Sequence, residues 1–472
     1  MTLGALFDTA VDRFGDRPLL LGPDVSYADF ASRVNGCACV LWNMGVGRGD
    51  AVAAVLPNSP LVLTLWLAAA KLGAVFVPLN PALRDAELAP LLTHSGAVLV
   101  VADRPIPGHR VVAPSMLAAT SSSAPHASVR ADDPVTVLYT SGTTGSPKGC
   151  VLSHTSYTAP APAFVTRLGL EADDRLLACL PLFHMAGQSF AVSALQAGAS
   201  LAVVPRFSAS GFWGHVDDFR ATAFRHLGEM LTLILRSPVT PPAGHGLRLV
   251  YGGGARPDVA REFTARFGVT VVEGYGMSET NTVLCGDPYL PRPGSMGTPL
   301  PPAEVRVAAT PGEIGEIQVR GPGLMKGYHR DPERTRAALA SSWLRTGDLG
   351  WMDDDGHVHF AARRVDVIRR RGENIDPAEV EEALAEHPQV LLGAVVGVPT
   401  ELSDEDVAAF VVPLPGSRLD EDGVLAWCRT RLAAFKVPHR VHVVDRLPMT
   451  PTSKINRSLL RAAGAHGRNP RW

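Results

Sequence analysis

At 472 residues the chain is too long for one ordinary hydrophobic core, so two or three domains are expected. Hydrophobic residues make up 46% and charged residues 19%, the balance of a chain that folds in water. Lys plus Arg is 44 against 46 Asp plus Glu, and a net charge of −2 excludes a general binder of nucleic acid or of anionic membranes, so partners belong to local sites.

The first eighteen residues, "MTLGALFDTAVDRFGDRP", carry Asp8 and Asp12 within an apolar pattern and have no basic lead, so they do not read as a signal peptide. "DAVAAVLP" reads as a strand. The longest apolar stretch, "SPLVLTLWLAAAKLGAVFVPLN", is broken by Lys71 and Gly73 and contains Pro78, which predicts a buried helix followed by a strand rather than a membrane span. "AVLVVA" is a further strand. Residues 102–134, rich in Pro, Ser and Ala without periodicity, read as an exposed connector. Beyond it, "SLAVVP" and "GVTVVEGYG" alternate with the amphipathic "VAREFTARFG", the pattern of βα units around mostly parallel sheets. The N-terminal part is therefore expected to be α/β.

From about Thr310 short alternating segments, "GEIGEIQVRG" and "GHVHFAAR", predict a small β-rich lobe. "DPAEVEEALAEHP", "LLGAVVGVP" and "EDVAAFVVPL" then predict a helix and two strands of a compact α+β unit. The expected division is an N-terminal domain over 1–363 and a small mobile C-terminal domain over 364–472, with the tail "GAHGRNPRW" frayed. Cysteines at 37, 39, 150, 179, 285 and 428 form no CxxC pair and no metal-ligand spacing; this usage suits a reducing cytoplasm, and Cys37 and Cys39 read as small buried hydrophobes.

One stretch carries chemistry on its face: "LYTSGTTGSPKG", directly after an apolar β-prone run. Gly142, Gly145 and Gly149 let backbone N–H groups approach an anion, Thr140, Ser141, Thr143 and Thr144 add hydroxyl donors, and Lys148 adds a positive charge. The chain has only five lysines against 39 arginines, and one of the five stands in this loop. A Walker A loop is excluded, because Pro147 precedes Lys148 and Gly149 follows it, and no GxGxxG is present. The loop reads as a phosphate cradle of another kind.

With "PLFHMAG" (181–187), "YGGGA" (251–255), "EGYGMSET" (273–280), "WLRTGDLG" (343–350), "RRVDVIRRRGENIDPAEVE" (363–381) and "PMTPTSKINR" (448–457), the chain resembles the adenylate-forming superfamily of acyl-CoA synthetases, peptide-synthetase adenylation domains and luciferases, in the family's order and over nearly its whole length. Its texture is most similar to the crotonobetaine and carnitine ligases. The resemblance implies a two-step reaction: a carboxylate attacks the α-phosphorus of ATP to give an acyl-adenylate and pyrophosphate, and a thiol, CoA by expectation, then displaces AMP.

Carried over position by position, the resemblance makes Lys454 the lysine that meets the reacting carboxylate and α-phosphate, and Thr140 and Glu279 its partners in catalysis. Glu279 would also be the carboxylate for Mg²⁺, which needs one such ligand beside triphosphate oxygens. ATP would lie against Thr140, Ser141, Gly142, Thr143, Thr144, Gly145 and Lys148, the loop Gly252, Gly253, Gly254 and Ala255, and the segment Glu273, Gly274, Tyr275, Gly276, Met277 and Ser278, with Tyr275 offered to adenine. Asp348 and Arg363 would hold the ribose. The hinge between half-reactions would fall at 364–366, where Arg364 is followed by Val365 in place of the usual Asp or Lys; that departure bears on the CoA step, which Gly372 and "FKVP" favour, and the Arg369–Arg371 run is either a contact for CoA phosphates or a solvated face.

The acyl pocket would be bounded by His184, Gly253 and Met277, with Glu229 as its odd member. Glu229 either faces the pocket, where it would select a cationic, amino or hydroxyl group, or pairs with Arg225 or Arg236 at a helix surface. The expected substrate is a small or medium carboxylic acid. A carrier-protein phosphopantetheine, an amine, or nitrite chemistry on an aryl amine are the alternative acceptors, and a non-catalytic nucleotide-binding protein is the reading outside enzymology.

Overall fold

The stretch around Lys71 folds as an interior helix and strand. Pro60 opens the helix Pro60–Leu72, Gly73 closes it in the left-handed region at φ 69°, and every residue of the strand Val75–Leu79 that follows is buried. The computed structural model describes residues 1–140, 148–310, 312–339, 342–363, 366–370, 373–400, 405–450 and 454–465. Among these, no helix is long and apolar enough to cross a membrane.

Two large sheets organise the first part of the chain. The seven-stranded sheet runs in the order Gly327–Tyr328, Lys148–Ser153, Pro134–Thr140, Val75–Leu79, Ala51–Val55, Ala97–Ala102, Val111–Val112. Its centre is parallel, and the hairpin around the glycine loop turns its edge antiparallel. The nine-stranded sheet is parallel from Thr270–Met277 through Leu249–Gly253, Ala223–Leu227, Arg175–Ala178 and Ser200–Val203 to Pro18–Leu20, with antiparallel strands added at both ends. One hydrophobic core contains residues of both sheets, such as Phe76, Leu138, Leu201 and Tyr251, together with the helices Leu3–Phe14, Tyr27–Asn43, Pro60–Leu72 and Met185–Ala197. Separate cores under Asp85–Ser95 and under Phe212–Asp218 and Pro257–Phe267 cover the outer faces, so this part is layered helix, sheet, helix, sheet, helix.

The chain divides into two compact units, one of residues 1–306, 318–345 and 355–358, the other of 307–317, 346–354 and 359–472. A four-stranded sheet orders Glu304–Ala308, Gly315–Arg320, Leu344–Met352 and Val358–Arg363, the β-rich lobe. The second unit holds the strands Val390–Pro399, Glu405–Pro413 and Arg440–Val443 and the helices Pro377–Ala385, Glu421–Arg429 and Arg457–Ala465 around a small core of its own. The fold is the mixed α/β architecture with a small C-terminal α+β domain that the hydrophobic periodicity implies.

The connector over 102–134 is mostly exposed or half-buried, as expected, but parts of it dock on the body of the domain. Ile106, Val112 and Leu117 are buried, Asn35 Nδ2 donates to Ser122 O at 3.3 Å, and Gly36 of the helix Tyr27–Asn43 admits the connector so closely that a Cβ there would stand 2.2 Å from Ala119 O. Its backbone therefore has partners that its composition does not announce.

Two local features fix the strand ends near the glycine loop. His154 begins the helix His154–Thr158, and its Nδ1 accepts the Leu3 N–H at 3.0 Å, so the neutral ring with its proton on Nε2 ties the N-terminal helix to this edge. The turn at 278–280 joins Thr270–Met277 to Asn281–Cys285: Met277 N–H donates to Thr280 Oγ1 at 3.1 Å, Thr280 N–H to Met277 O at 3.1 Å, and Asn281 takes φ 58° to close it. Gly276 permits this, because a Cβ there would lie 2.2 Å from Asn281 O.

Two outcomes follow. Burial pushes the His154 imidazole down to about 4 from 6.5, so as pH falls the unfolded chain takes up the proton first; stability is lost between about pH 6.5 and 4, by up to about 3 kcal/mol. Denaturant unfolding across that window checks it, and His154→Asn should flatten the slope, whereas equal slopes in both proteins would contradict the assignment. Gly276→Ala should cost about 1–3 kcal/mol by overpacking the turn, read as a lower thermal midpoint. An unchanged midpoint would show that the turn is looser than described.

Candidate active site

The turn at 278–280 is pinned from outside as well as from within. Met325 N–H donates to Glu279 O at 2.8 Å, and the Cys150 thiol donates to Ser278 O at 3.4 Å. The edge of the seven-stranded sheet thus holds the tip of a hairpin that belongs to the nine-stranded one.

This places the Glu279 side chain, 4% exposed, beside Lys148 and Tyr328. Lys148 Nζ lies 2.9 Å from Glu279 Oε1, Tyr328 OH donates to the same oxygen at 2.9 Å, and the ammonium stands 4.5 Å above the Tyr328 ring. A carboxylate so buried is tolerable only when paired and hydrogen-bonded, and both conditions are met. Burial, and after it the adjacent carboxylate, push the Tyr328 phenol far above its ordinary range, which keeps it a donor. Burial likewise raises the Cys150 thiol well above its ordinary value, so it is an inert wall and not a nucleophile. Thr140 and Lys148 pair directly across the hairpin, with Thr140 Oγ1 donating to Lys148 O at 3.5 Å, so both ends of the glycine loop are fixed by the sheet.

Thr140, Lys148, Ser278 and Glu279 are thereby brought together. Ser141, Gly142, Thr143, Thr144 and Gly145 of the loop, and Arg364, Val365 and Gly372 of the hinge region, lie outside the described residues. Tyr328 was not singled out in the sequence; its partner is 49 residues away, and only the glycine before it, Gly327 at φ 141° against Thr335, hints at a constrained position.

A second cluster lies at the carboxyl ends of the parallel strands Ala223–Leu227, Leu249–Gly253 and Thr270–Met277, where open α/β sheets bind ligands. Glu273 Oε2 accepts from Gly254 N–H at 2.9 Å and Ala255 N–H at 3.3 Å, which fixes the course of the loop through Gly252, Gly253 and Gly254, the last at φ 94°. Glu273 Oε1 lies 3.1 Å from His226 Nε2, in contact but without the alignment of a hydrogen bond. Tyr275 and Met277 follow on the same strand, half-buried, and Gly274 pairs with Cys285 across the hairpin.

His184 precedes the helix Met185–Ala197, its ring 4.7 Å from that of Phe183. The loop before this helix is held from three sides: Asn58 Nδ2 donates to Val204 O, Leu182 N–H donates to Asn58 Oδ1, and Gln188 Nε2 donates to Leu182 O. Glu229 stands half-buried at the start of the helix Met230–Arg236. Arg225 is committed elsewhere: its guanidinium donates to Ala186 O at 3.0 Å, Ser189 Oγ at 2.5 Å and Thr282 Oγ1 at 3.3 Å and lies 5.0 Å over the Tyr251 ring.

In the second unit, Arg363 Nε donates to Asp348 Oδ1 at 2.7 Å and its Nη2 to Oδ2 at 3.3 Å, a bidentate clasp on a carboxylate that is 3% exposed. Lys454 is exposed; Thr450 N–H donates to Lys454 O, and Lys454 N–H donates to Thr450 Oγ1. Among the described residues no group of three His, Cys, Asp or Glu could hold a metal unaided. A divalent cation would have to share Glu279 with oxygens of a bound phosphate, and the hard carboxylate fits that chemistry.

Comparison with known proteins agrees with this architecture. Residues 7–329 match the family model described as AMP-binding enzyme, and residues 379–454 match that of the AMP-binding enzyme C-terminal domain. A feruloyl-CoA synthase of an Amycolatopsis species is 37% identical over 465 residues, 93% of this chain and 94% of that protein. The crystal structure of ATP-bound MatB from Rhodopseudomonas palustris superposes with a TM-score of 0.90 at 33% identity, over 98% of this chain and 99% of that one. The o-succinylbenzoate CoA synthetase MenE of Bacillus subtilis, solved with its acyl-adenylate intermediate, gives a TM-score of 0.87 at 28% identity over 97% of each chain. The chain is a member of the AMP-binding enzyme family, the AMP-forming ligases.

Proposed function

We propose that this protein is an ATP- and Mg²⁺-dependent acid–CoA ligase for a small or medium carboxylic acid. The observation that carries the reading is the cluster of Lys148, Glu279 and Tyr328 beside the fixed ends of the glycine loop, one cation, one buried carboxylate and one phenol within 3 Å of a common oxygen or stacked on it. In the first half-reaction a carboxylate oxygen of the acid attacks the α-phosphorus, the bond from that phosphorus to the bridging oxygen breaks, and pyrophosphate leaves with the electron pair. Lys148 and the loop donors neutralise charge on the phosphates, and Tyr328 keeps Glu279 oriented while its phenol remains protonated. Mg²⁺, held by Glu279 together with triphosphate oxygens, would draw charge from the departing pyrophosphate.

Lys454 is assigned to the carboxylate and α-phosphate, Asp348 with Arg363 to the ribose, and the loop Gly252–Ala255 with Tyr275 to adenine. In the second half-reaction the thiolate of CoA attacks the acyl carbon, the carbon–oxygen bond to AMP breaks, and AMP departs with the pair; a turn of the C-terminal domain about residues 364–366 would exchange the two acceptors. The MenE structure named for its acyl-adenylate supports the first step, and the CoA ligase and synthetase names of the relatives support the second. The six cysteines are free thiols, five of them buried, which suits the proposed cytoplasmic setting.

Pyrophosphate release with ATP and Mg²⁺ over fatty, aryl, amino-aryl and short polar acids, each with and without CoA, tests the reading. One class of acid should release pyrophosphate and yield its CoA thioester; release that occurs with an acid but never yields a thioester would reassign the acceptor to a carrier protein or an amine. Lys454→Ala should lower the first half-reaction by about 10²-fold or more, and Glu279→Gln by about 10-fold or more. Full activity in either variant would overturn that residue's role.

A further inference from the structure

His226 is an imidazole at the carboxyl ends of the parallel strands that the proposed chemistry does not use. It is fully buried, and neither ring nitrogen makes a hydrogen bond. Its register neighbours on the strand ends are Gly252 and then Glu273. The imidazole edge carrying Cδ2 and Nε2 lies over Gly252, where a Cβ would stand 2.4 and 2.6 Å from those atoms, and Nε2 reaches to 3.1 Å from Glu273 Oε1. The opposite edge, with Nδ1, turns the other way along the sheet. There Phe224 stands opposite Leu177, so His226, two residues on, is level with the loop that leaves Arg175–Ala178 and enters the His184 helix.

A buried polar atom with no partner costs free energy that folding does not return, so such an atom at a ligand-binding strand end calls for a ligand. The electrostatics choose the tautomer. A carboxylate oxygen beside Nε2 accepts and cannot donate, so the proton of the neutral ring belongs on Nε2, and Nδ1 presents a lone pair. The group it seeks is therefore a donor. The volume is equally directed, since the ring occupies the space that Gly252 leaves open and shortens whatever cavity lies against it.

We propose that His226 is a specificity-determining residue of the acyl pocket and selects a short, rigid carboxylic acid bearing an amino or hydroxyl group, which donates to Nδ1. Glu273 acts through it as a positioning residue, with one carboxylate oxygen on the glycine loop and the other on Nε2. This rests on the adenylation reading and narrows its substrate to a donor-bearing aryl or similarly flat acid.

The test uses matched acids on the full-length enzyme: 4-aminobenzoate and 4-hydroxybenzoate against 4-methylbenzoate, and the corresponding cinnamates. Two readouts are taken, binding of each acid by calorimetry without ATP and kcat/KM for acid-dependent pyrophosphate release. The donor-bearing member of a pair should be preferred by about 10-fold or more in both. His226→Leu should erase or invert that ratio, and His226→Gln, which keeps a carbonyl acceptor, should recover part of it. A merely structural histidine would instead lower all acids together and leave the ratio unchanged, which overturns the inference. The adenylation reading fails separately: preferential binding without pyrophosphate release would uphold His226 and overturn adenylation, whereas release with no preference for donors in the native enzyme would uphold adenylation and overturn His226. If His226→Leu does not fold, the ratio in His226→Gln decides: a preference for the donor-bearing acid clearly below that of the native enzyme upholds the inference, and a ratio identical to the native one overturns it.

Discussion

The pairing of Lys148 with a carboxylate that is almost wholly withdrawn from water is the constraint on which the candidate site depends. The buried carboxylate would not be stable there alone, because an unpaired buried ion is worth several kcal/mol of destabilisation. The two residues come from different sheets, one from the hairpin edge of the seven-stranded sheet and one from the turn that ends the nine-stranded sheet. Their attraction, the Tyr328 hydroxyl, the Met325 N–H and the Cys150 thiol therefore hold the two sheets together at this point. A lysine proposed to bind phosphate gains from this arrangement, since its ammonium is aimed before any ligand arrives.

The same economy appears at Glu273. One carboxylate oxygen satisfies two backbone N–H groups of a glycine loop that has no side chains to support itself, and the other lies against a buried imidazole. Arg225 shows the contrasting case. It is one residue from His226 on the same strand, yet strand alternation sends it to the opposite face, where carbonyl and hydroxyl oxygens and the Tyr251 ring surround it and burial lowers its affinity for its proton. Two adjacent cations or potential cations thus have separate fates, one in the interior between sheets and one at a strand end.

Much of the architecture was legible because apolar periodicity is a local property. "AVLVVA" and "SLAVVP" could be placed as strands, and Lys71 and Gly73 were enough to distinguish an interior helix from a membrane span. The family was legible from motif order, since seven blocks in sequence carry more information than any one of them. Contacts between distant segments were not legible. Tyr328 meets Glu279 across 49 residues, and nothing in "MKGYHR" says that its hydroxyl is spoken for. In "FRHLGEM" the unusual acid Glu229 drew attention, whereas the buried histidine three residues earlier has the more constrained surroundings; the register that sets it beside Glu273 exists only in the folded sheet. The exposed connector over 102–134 was legible, but its docking points were not, for a related reason: its carbonyls at Ala119 and Ser122 meet Gly36 and Asn35, which composition cannot report.

The central claim is that a carboxylate oxygen of the acid becomes bonded to the α-phosphorus of ATP at this site. Its most direct test is an acid labelled with ¹⁸O in both carboxylate oxygens, turned over with ATP, Mg²⁺ and CoA and followed by mass spectrometry of the products. The account predicts one ¹⁸O in the recovered AMP, the other in the thioester, and none in pyrophosphate. AMP free of label would contradict it, and label in pyrophosphate or inorganic phosphate would move the attack to another phosphorus.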